Sequence, residues 1–395
     1  MTTSKSNWFD LKLLCPLLIA AACLWDAGMR FFPERIQTFR AWESALPMAT
    51  AEGDFRPLLV YDNPQAFGDL SNLANCESCR VSRRERFTTD TRGFRNPPGD
   101  SNPYTMVLTG DSFGVGSSLS DEDTLSRQLD RILPGQHVYN ASAQKPQWGY
   151  ALKIIEAQGI RNSFLIWEHA QLHPFPTGPI DPPLSTQRRL AQKLGGGKEP
   201  TWYPAASGAL KWARAWFTFS PLKMTVQRGL RHAELHGILP SGSPSQVSRV
   251  TLTNGQPMLS YDAELEAIRN PSKPDLAFFR SLRAAVRETG NELLVVLMPS
   301  KYSVYGPLMR NPPLAIPASP LADAESALRS AQIPVLDLTP ALRRGAASAL
   351  KAGQLIYHAD DTHWNPAGVG EGSREIAKFL KDLGLSLQSK PEQKN

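Results

Sequence analysis

Two short stretches, far apart in the chain, hold residue types that together can attack an ester. The first is Val107-Leu108-Thr109-Gly110-Asp111-Ser112-Phe113-Gly114, where Ser112 follows an apolar run and opens a helix. The second is Asp360-Asp361-Thr362-His363-Trp364-Asn365-Pro366-Ala367-Gly368. A serine hydroxyl is a weak nucleophile until a base takes its proton, and the base needs a carboxylate to fix its tautomer. The chain has 7 histidines, and His363 has an aspartate two residues before it and a helix start after it. Ser112 is the candidate nucleophile, His363 the candidate base, and Asp360 or Asp361 the candidate orienting carboxylate.

The intervening sequence predicts elements that would bring these stretches together. Tyr104 to Thr109 and Ser163 to Trp167 read as buried strands, with a short strand over His137 to Asn140. Helical spacing runs through Thr124 to Leu133 and Trp148 to Gln158. This βαβαβ order predicts an α/β fold with a parallel sheet and helices on both faces. Ser112 would then lie at the carboxyl edge of the sheet, where open α/β folds bind their ligands. The pattern breaks near residue 172 and resumes with a helix over 276–289, strands over 293–298 and 334–338, and a helix near 340–350. Asn365-Pro366 starts a last helix that runs to about Leu383.

Between these halves, residues 172–272 read as a large insertion rich in proline and glycine. It has an aromatic cluster at Trp212, Trp216, Phe217 and Phe219 and a possible hairpin at Thr253-Asn254-Gly255. Residues 34–100 read as an irregular lead-in packed beside the main domain, residues 101–386 as that domain, and residues 387–395 as a polar tail.

Leu13 to Trp25 is apolar apart from Pro16 and follows Lys5 and Lys12. No small-residue cleavage pattern follows it. Residues 1–33 are read as an uncleaved signal anchor, with residues 8–32 holding a periplasmic body at the inner membrane. Lipid attachment at Cys23 is the alternative. Of the 4 cysteines, Cys15 and Cys23 lie in the apolar segment, and Cys76-Glu77-Ser78-Cys79 is most simply a local disulfide in an oxidising compartment. The net charge of +6 is scattered, densest at Arg80–Arg86 and Arg343-Arg344. A solvated basic face accounts for it better than a contact with anionic glycan or lipid, and no aromatic-basic platform for nucleic acid is present. Gly110 and Gly114 are not followed by a Gly-Lys-Ser/Thr phosphate loop, and Ser112 is not in a Gly-x-Ser-x-Gly elbow. No metal-ligand spacing stands out, and the reading needs no cofactor.

Gly110-Asp111-Ser112-Phe113 with Asp361-Thr362-His363-Trp364-Asn365 resembles the SGNH (GDSL-type) hydrolase superfamily. The closer resemblance is to its membrane-anchored branch related to alginate O-acetyltransferases. Arg92-Gly93-Phe94-Arg95-Asn96 and Met298-Pro299-Ser300-Lys301-Tyr302-Ser303-Val304-Tyr305 add to it, and together the resemblance spans residues 91–170 and 275–383. It implies a three-layer, flavodoxin-like parallel sheet and a triad of Ser112, His363 and Asp361, since the Asp-x-His-Trp-Asn form is the one this branch shows. The backbone N–H groups of Ser112 and Ser142 become candidate oxyanion donors, with Ser142 in the position the family gives to glycine. The family's asparagine after the third strand is absent, for that strand ends Ile166-Trp167-Glu168-His169-Ala170. Glu168, His169 and Lys301 become candidate substrate contacts, and Gln144, Gln171 or Lys301 candidate replacements for the asparagine.

The expected function is serine-dependent O-acyl transfer or hydrolysis on an envelope or exported polysaccharide, with other polysaccharide-assembly proteins as possible partners. The competing class is a non-catalytic glycan-binding or scaffold subunit of a polysaccharide assembly.

Overall fold

A computed structural model describes residues 7–32, 40, 53–74, 76–100, 102–143, 148–178, 216, 220–239 and 246–384. The helices are α1 (Asn7–Met29), α2 (Asp69–Leu73), α3 (Ser112–Val115), α4 (Leu125–Ile132), α5 (Trp148–Gln158) and α6 (Pro221–Leu235). They continue with α7 (Asp262–Arg269), α8 (Leu276–Glu288), α9 (Lys301–Tyr305), α10 (Ala322–Ser330), α11 (Thr339–Lys351) and α12 (Pro366–Asp382). The strands are β1 (Val60–Ala66), β2 (Arg83–Thr88), β3 (Met106–Thr109), β4 (Val138–Asn140), β5 (Phe164–Ala170), β6 (Val247–Thr251), β7 (Pro257–Tyr261), β8 (Glu292–Met298) and β9 (Val335–Asp337).

Five strands form one parallel sheet in the order β4-β3-β5-β8-β9. Every residue of β3, β4, β5 and β9 is buried, as expected for a sheet covered on both faces. Alternate strand residues feed two cores. Met106, Leu108, Ile166, Leu294 and Val296 join side chains of α4, α11 and α12. Val107, Leu165, Trp167, Val295 and Leu297 join those of α5, α8 and α10. In the chain order of the sheet strands this is 2-1-3-4-5, which reverses direction between β3 and β5, and the chain leaving β3 leads straight into Ser112.

Two features, in the lead-in and at the amino end, differ from the sequence expectations. The lead-in is not wholly irregular, because β1 and β2 pair antiparallel. The alternation in β2 is disguised in sequence because one of its inward residues, Glu85, is charged, while Phe87 is apolar. Within 172–272, the hairpin expected at Thr253-Asn254-Gly255 forms as β6–β7 and is followed by α7, and Leu252 and Met258 enter the main core. Gly195–Gly197, Trp212, Phe217, Phe219, Ser241–Ser245 and the 387–395 tail lie outside the described residues. The apolar amino-terminal segment forms α1, although among the described residues no helix is long and apolar enough to cross a membrane. The Cys76–Cys79 disulfide is formed, while Cys15 and Cys23 are free thiols.

Candidate active site

The short helix α3 carries Ser112 as its first residue. Asp111 caps it, accepting the Phe113 N–H at 2.9 Å. Gly114 permits a close approach, because a Cβ there would lie 2.5 Å from Ser142 Oγ. The loop after α3 is gripped by Arg95, whose guanidinium donates to the carbonyls of Val115, Gly116, Leu119 and Arg86. Its neighbour Asn96 exchanges two hydrogen bonds with the Asn140 backbone at the end of β4. The Arg92–Asn96 motif noted in the sequence is thus a clamp on the serine loop.

The second stretch arrives from the far end of the chain. Asn365 caps α12, accepting from the Ala367 and Gly368 N–H groups. Trp364, the residue after His363, is fully buried in the main core. His363 then stands with Nε2 2.8 Å from Ser112 Oγ and Nδ1 2.7 Å from Asp361 Oδ1. The ring of Phe113 packs on the imidazole at 4.8 Å. The structure therefore joins Ser112, His363 and Asp361 in one hydrogen-bonded line, and places Asp360 elsewhere.

Asp360 anchors the loop instead. It is fully buried and accepts from the Gly68 N–H at 2.8 Å, the Val81 N–H at 3.0 Å and Arg83 at 2.8 Å. Asp361 accepts, on the oxygen away from His363, from Ser118 Oγ at 2.6 Å, the Asp69 N–H at 2.9 Å and Arg83 at 3.3 Å. The Asp69 carboxylate in turn receives the Thr362 N–H and hydroxyl. Gly68 sits so close that a Cβ there would meet the Asp360 carbonyl oxygen at 2.0 Å. Residues 68–83, which include the disulfide, thus cradle the carboxylate loop.

Charge follows from this geometry. Burial works against an ionised Asp361, but His363 and Arg83 outweigh it and hold the carboxyl well below the usual range. Burial likewise works against a protonated His363, and the Asp361 carboxylate outweighs it, leaving the imidazole above its ordinary value. Asp69, Asp361 and His363 bring one ligand atom each within 4.8 Å of one another. Those groups are already engaged with one another or with Thr362, Ser118 and Arg83, so the cluster is a saturated hydrogen-bond network.

The other sequence candidates fall in different places. Lys301, read as a contact for an anionic substrate, is fully buried. Its ammonium donates to the carbonyls of His358, Ala359 and Asp361. It buttresses the carboxylate loop from behind, and burial pushes it down to about 8. Glu168 is also fully buried, with Oε2 accepting the N–H groups of Asp111 and Gly114 at 3.1 Å each. Burial and the nearby Asp111 hold its carboxyl well above the usual range, so it braces the serine loop without reaching solvent. Ser142 directs its N–H to its own loop, donating to Asn140 Oδ1 at 3.0 Å. That N–H is therefore spent, whereas no acceptor among the described residues engages the Ser112 N–H. His169 is buried and stacks on Phe175. Gln171 ties the loop after β8, accepting the Ser300 N–H and the Ser303 hydroxyl. Gln144 lies outside the described residues.

Sequence reasoning missed Asp69, Arg83 and Ser118. Ser118 stands at φ 63°, a non-glycine conformation often held at functional loops, which only the folded backbone shows. Asp69 and Arg83 have no local signal, because their partners are nearly three hundred positions away in the chain.

Residues 260–395 match the family described as SGNH hydrolase-like domain, acetyltransferase AlgX. The match covers the carboxy-terminal third, including β8, β9, the His363 loop and α12. No curated protein matches the chain.

Proposed function

We propose that this protein is a serine acyltransferase or esterase that handles O-acetyl groups on an envelope or exported polysaccharide. The observation that carries the reading is the Ser112–His363–Asp361 line, with both hydrogen bonds under 3 Å. The family match over the histidine-bearing third supports acetyl chemistry.

In this reading Ser112 Oγ attacks the acetyl carbonyl while His363 Nε2 takes its proton. The ester C–O bond then breaks, and His363 returns the proton to the leaving alcohol. Water or a sugar hydroxyl, deprotonated by the same imidazole, next attacks the acetyl-serine and frees the enzyme. Asp361 holds the Nδ1–H tautomer and stabilises the imidazolium. The N–H of Ser112, which no acceptor among the described residues engages, is the available oxyanion donor.

Only neutral His363 can accept the serine proton. Because Asp361 holds the imidazole above its ordinary value of 6.5, the acid limb of kcat/KM on p-nitrophenyl acetate is expected to have its midpoint above 6.5. A midpoint below it would exclude the Asp361-paired base.

Transfer is separated from hydrolysis by incubating the full chain with p-nitrophenyl acetate and candidate polysaccharides, then measuring polymer-bound acetyl. Acceptor-dependent incorporation means transferase, and free acetate alone means esterase.

One observation favours a second reading, a non-catalytic glycan-binding or scaffold subunit. The Ser142 N–H is already engaged and the family's asparagine after the third strand is absent, so only one oxyanion donor is evident among the described residues. Background-level acetate release in both the wild-type chain and the Ser112→Ala variant would select this reading.

The setting belongs to the same proposal. Residues 8–32 hold the body on the periplasmic side of the inner membrane, alongside other polysaccharide-assembly proteins. The exposed Leu14, Leu17, Leu18, Ile19 and Leu24 on α1 and the Cys76–Cys79 disulfide support it. The full chain is expected to stay with membranes through an alkaline carbonate wash and to be cleaved by protease added to spheroplasts. Release by the wash, or protection from the protease, would contradict this placement.

A further inference from the structure

A cavity of about 340 Å³ lies at the carboxyl edge of the sheet, between the end of β5, the start of α8 and α10. Its rim touches the serine loop, because His173 lines it and sits with Nε2 3.5 Å from Asp111 Oδ2. Asp111 directly precedes Ser112.

The exposed Lys273 and Asp323 carry the charge of the lining, and its buried residues are uncharged. His169 stacks on Phe175 with ring centres 4.0 Å apart, and burial pushes this imidazole down to about 4, so it is neutral at pH 7. Its ring N–H goes to the His173 backbone, and the other ring nitrogen is left as an acceptor. Gln171 spends its carbonyl oxygen on Ser300 and Ser303, while its buried NH₂ group has no partner among the described residues. A buried donor without an acceptor is costly and calls for a group to receive it. Phe175 and Leu276 supply apolar wall. The size falls at the lower end of the range for small-molecule sites, roughly 300–1,000 Å³.

A hexose ring fits this lining. Its C–H faces suit the apolar wall, and its hydroxyls both give and accept hydrogen bonds with a neutral imidazole and an amide. We propose that this cavity is a subsite for one hexose unit of the polymer whose neighbouring unit is presented to Ser112. The proposal rests on the polysaccharide reading above and gives it a place of binding.

The test is direct binding to the full chain carrying Ser112→Ala, which removes turnover. Isothermal titration calorimetry with cellotetraose, chitotetraose and a mannuronate tetrasaccharide covers neutral, N-acetylated and acidic hexoses. At least one is expected to bind. Adding Ala327→Trp, which places an indole in the cavity, or Gln171→Glu, which keeps the carbonyl oxygen and removes the donor, is expected to weaken that binding by about tenfold or more. Thermal melts of both variants distinguish lost binding from lost folding. Binding that both variants retain would overturn the proposal and place the sugar elsewhere. Binding of none of the three would overturn it too, leaving a water-filled cavity. Neither outcome touches acetyl-serine formation in the chain with Ser112 intact, so the failure of the subsite and the failure of the enzyme reading are distinguishable.

Discussion

Ser112→Ala is expected to lower the turnover of p-nitrophenyl acetate by about 10⁴-fold or more, and His363→Ala by a similar factor. The double variant is expected to be no worse than either single one. The reason lies in the 2.8 Å hydrogen bond between His363 Nε2 and Ser112 Oγ. Either group without the other has no chemistry to do, so the losses cannot add. Ser112→Ala is expected to keep the wild-type melting temperature within a few degrees, because Ser112 Oγ holds no other part of the fold among the described residues, whereas His363→Ala is expected to lower it, because it leaves the buried Asp361 charge without its imidazole partner. Losses that multiply in the double variant would show that the two residues act separately.

The second large effect concerns stability. Arg83 forms ion pairs with both buried carboxylates, at 2.8 Å from Asp360 and 3.3 Å from Asp361. Removing one partner from a buried ion pair leaves uncompensated charge and costs about 3–5 kcal/mol. Arg83→Met is therefore expected to lower unfolding free energy by about that amount at neutral pH, measured by urea denaturation, and to reduce turnover through a displaced Asp361. Arg83→Lys is expected to recover part of the stability but not the two-carboxylate fork. The pH dependence has a definite sign. The folded-state value of Asp361 is depressed, so its contribution is present above the ordinary carboxylate value of 3.8 and is lost as pH falls through the depressed value. The gap between wild type and Arg83→Met should thus be widest near neutrality and close on acidification. A gap that stays constant with pH would mean that Arg83 acts by packing alone.

Much of this architecture can be read from local sequence. The strands of the main sheet and the helix after Asn365-Pro366 are written in apolar runs and capping residues a few positions apart. The disulfide follows from one close cysteine pair. The serine and histidine stretches are likewise local patterns, and the sheet order brings their side chains together. What escapes such reading is held by distant or concealed partners. Arg83 looks like one of several surface arginines in Arg80–Arg86, and only the folded chain shows that it meets Asp360 and Asp361 while Arg84 meets Asp62 in solvent. Lys301 carries a charge that usually signals exposure, yet its donors are all consumed by backbone carbonyls in the interior. Glu168 is unreadable for the same reason: its role depends on two N–H groups of a loop over fifty residues earlier.

The central claim is that Ser112 carries the acyl group. The most direct measurement is mass spectrometry of the full chain quenched in acid during turnover of p-nitrophenyl acetate, followed by peptide mapping. The account predicts a mass increase of one acetyl group on the peptide containing Ser112, present in the wild-type chain and absent in Ser112→Ala. An acetyl group found only on lysines, equally in wild type and Ser112→Ala, would contradict it.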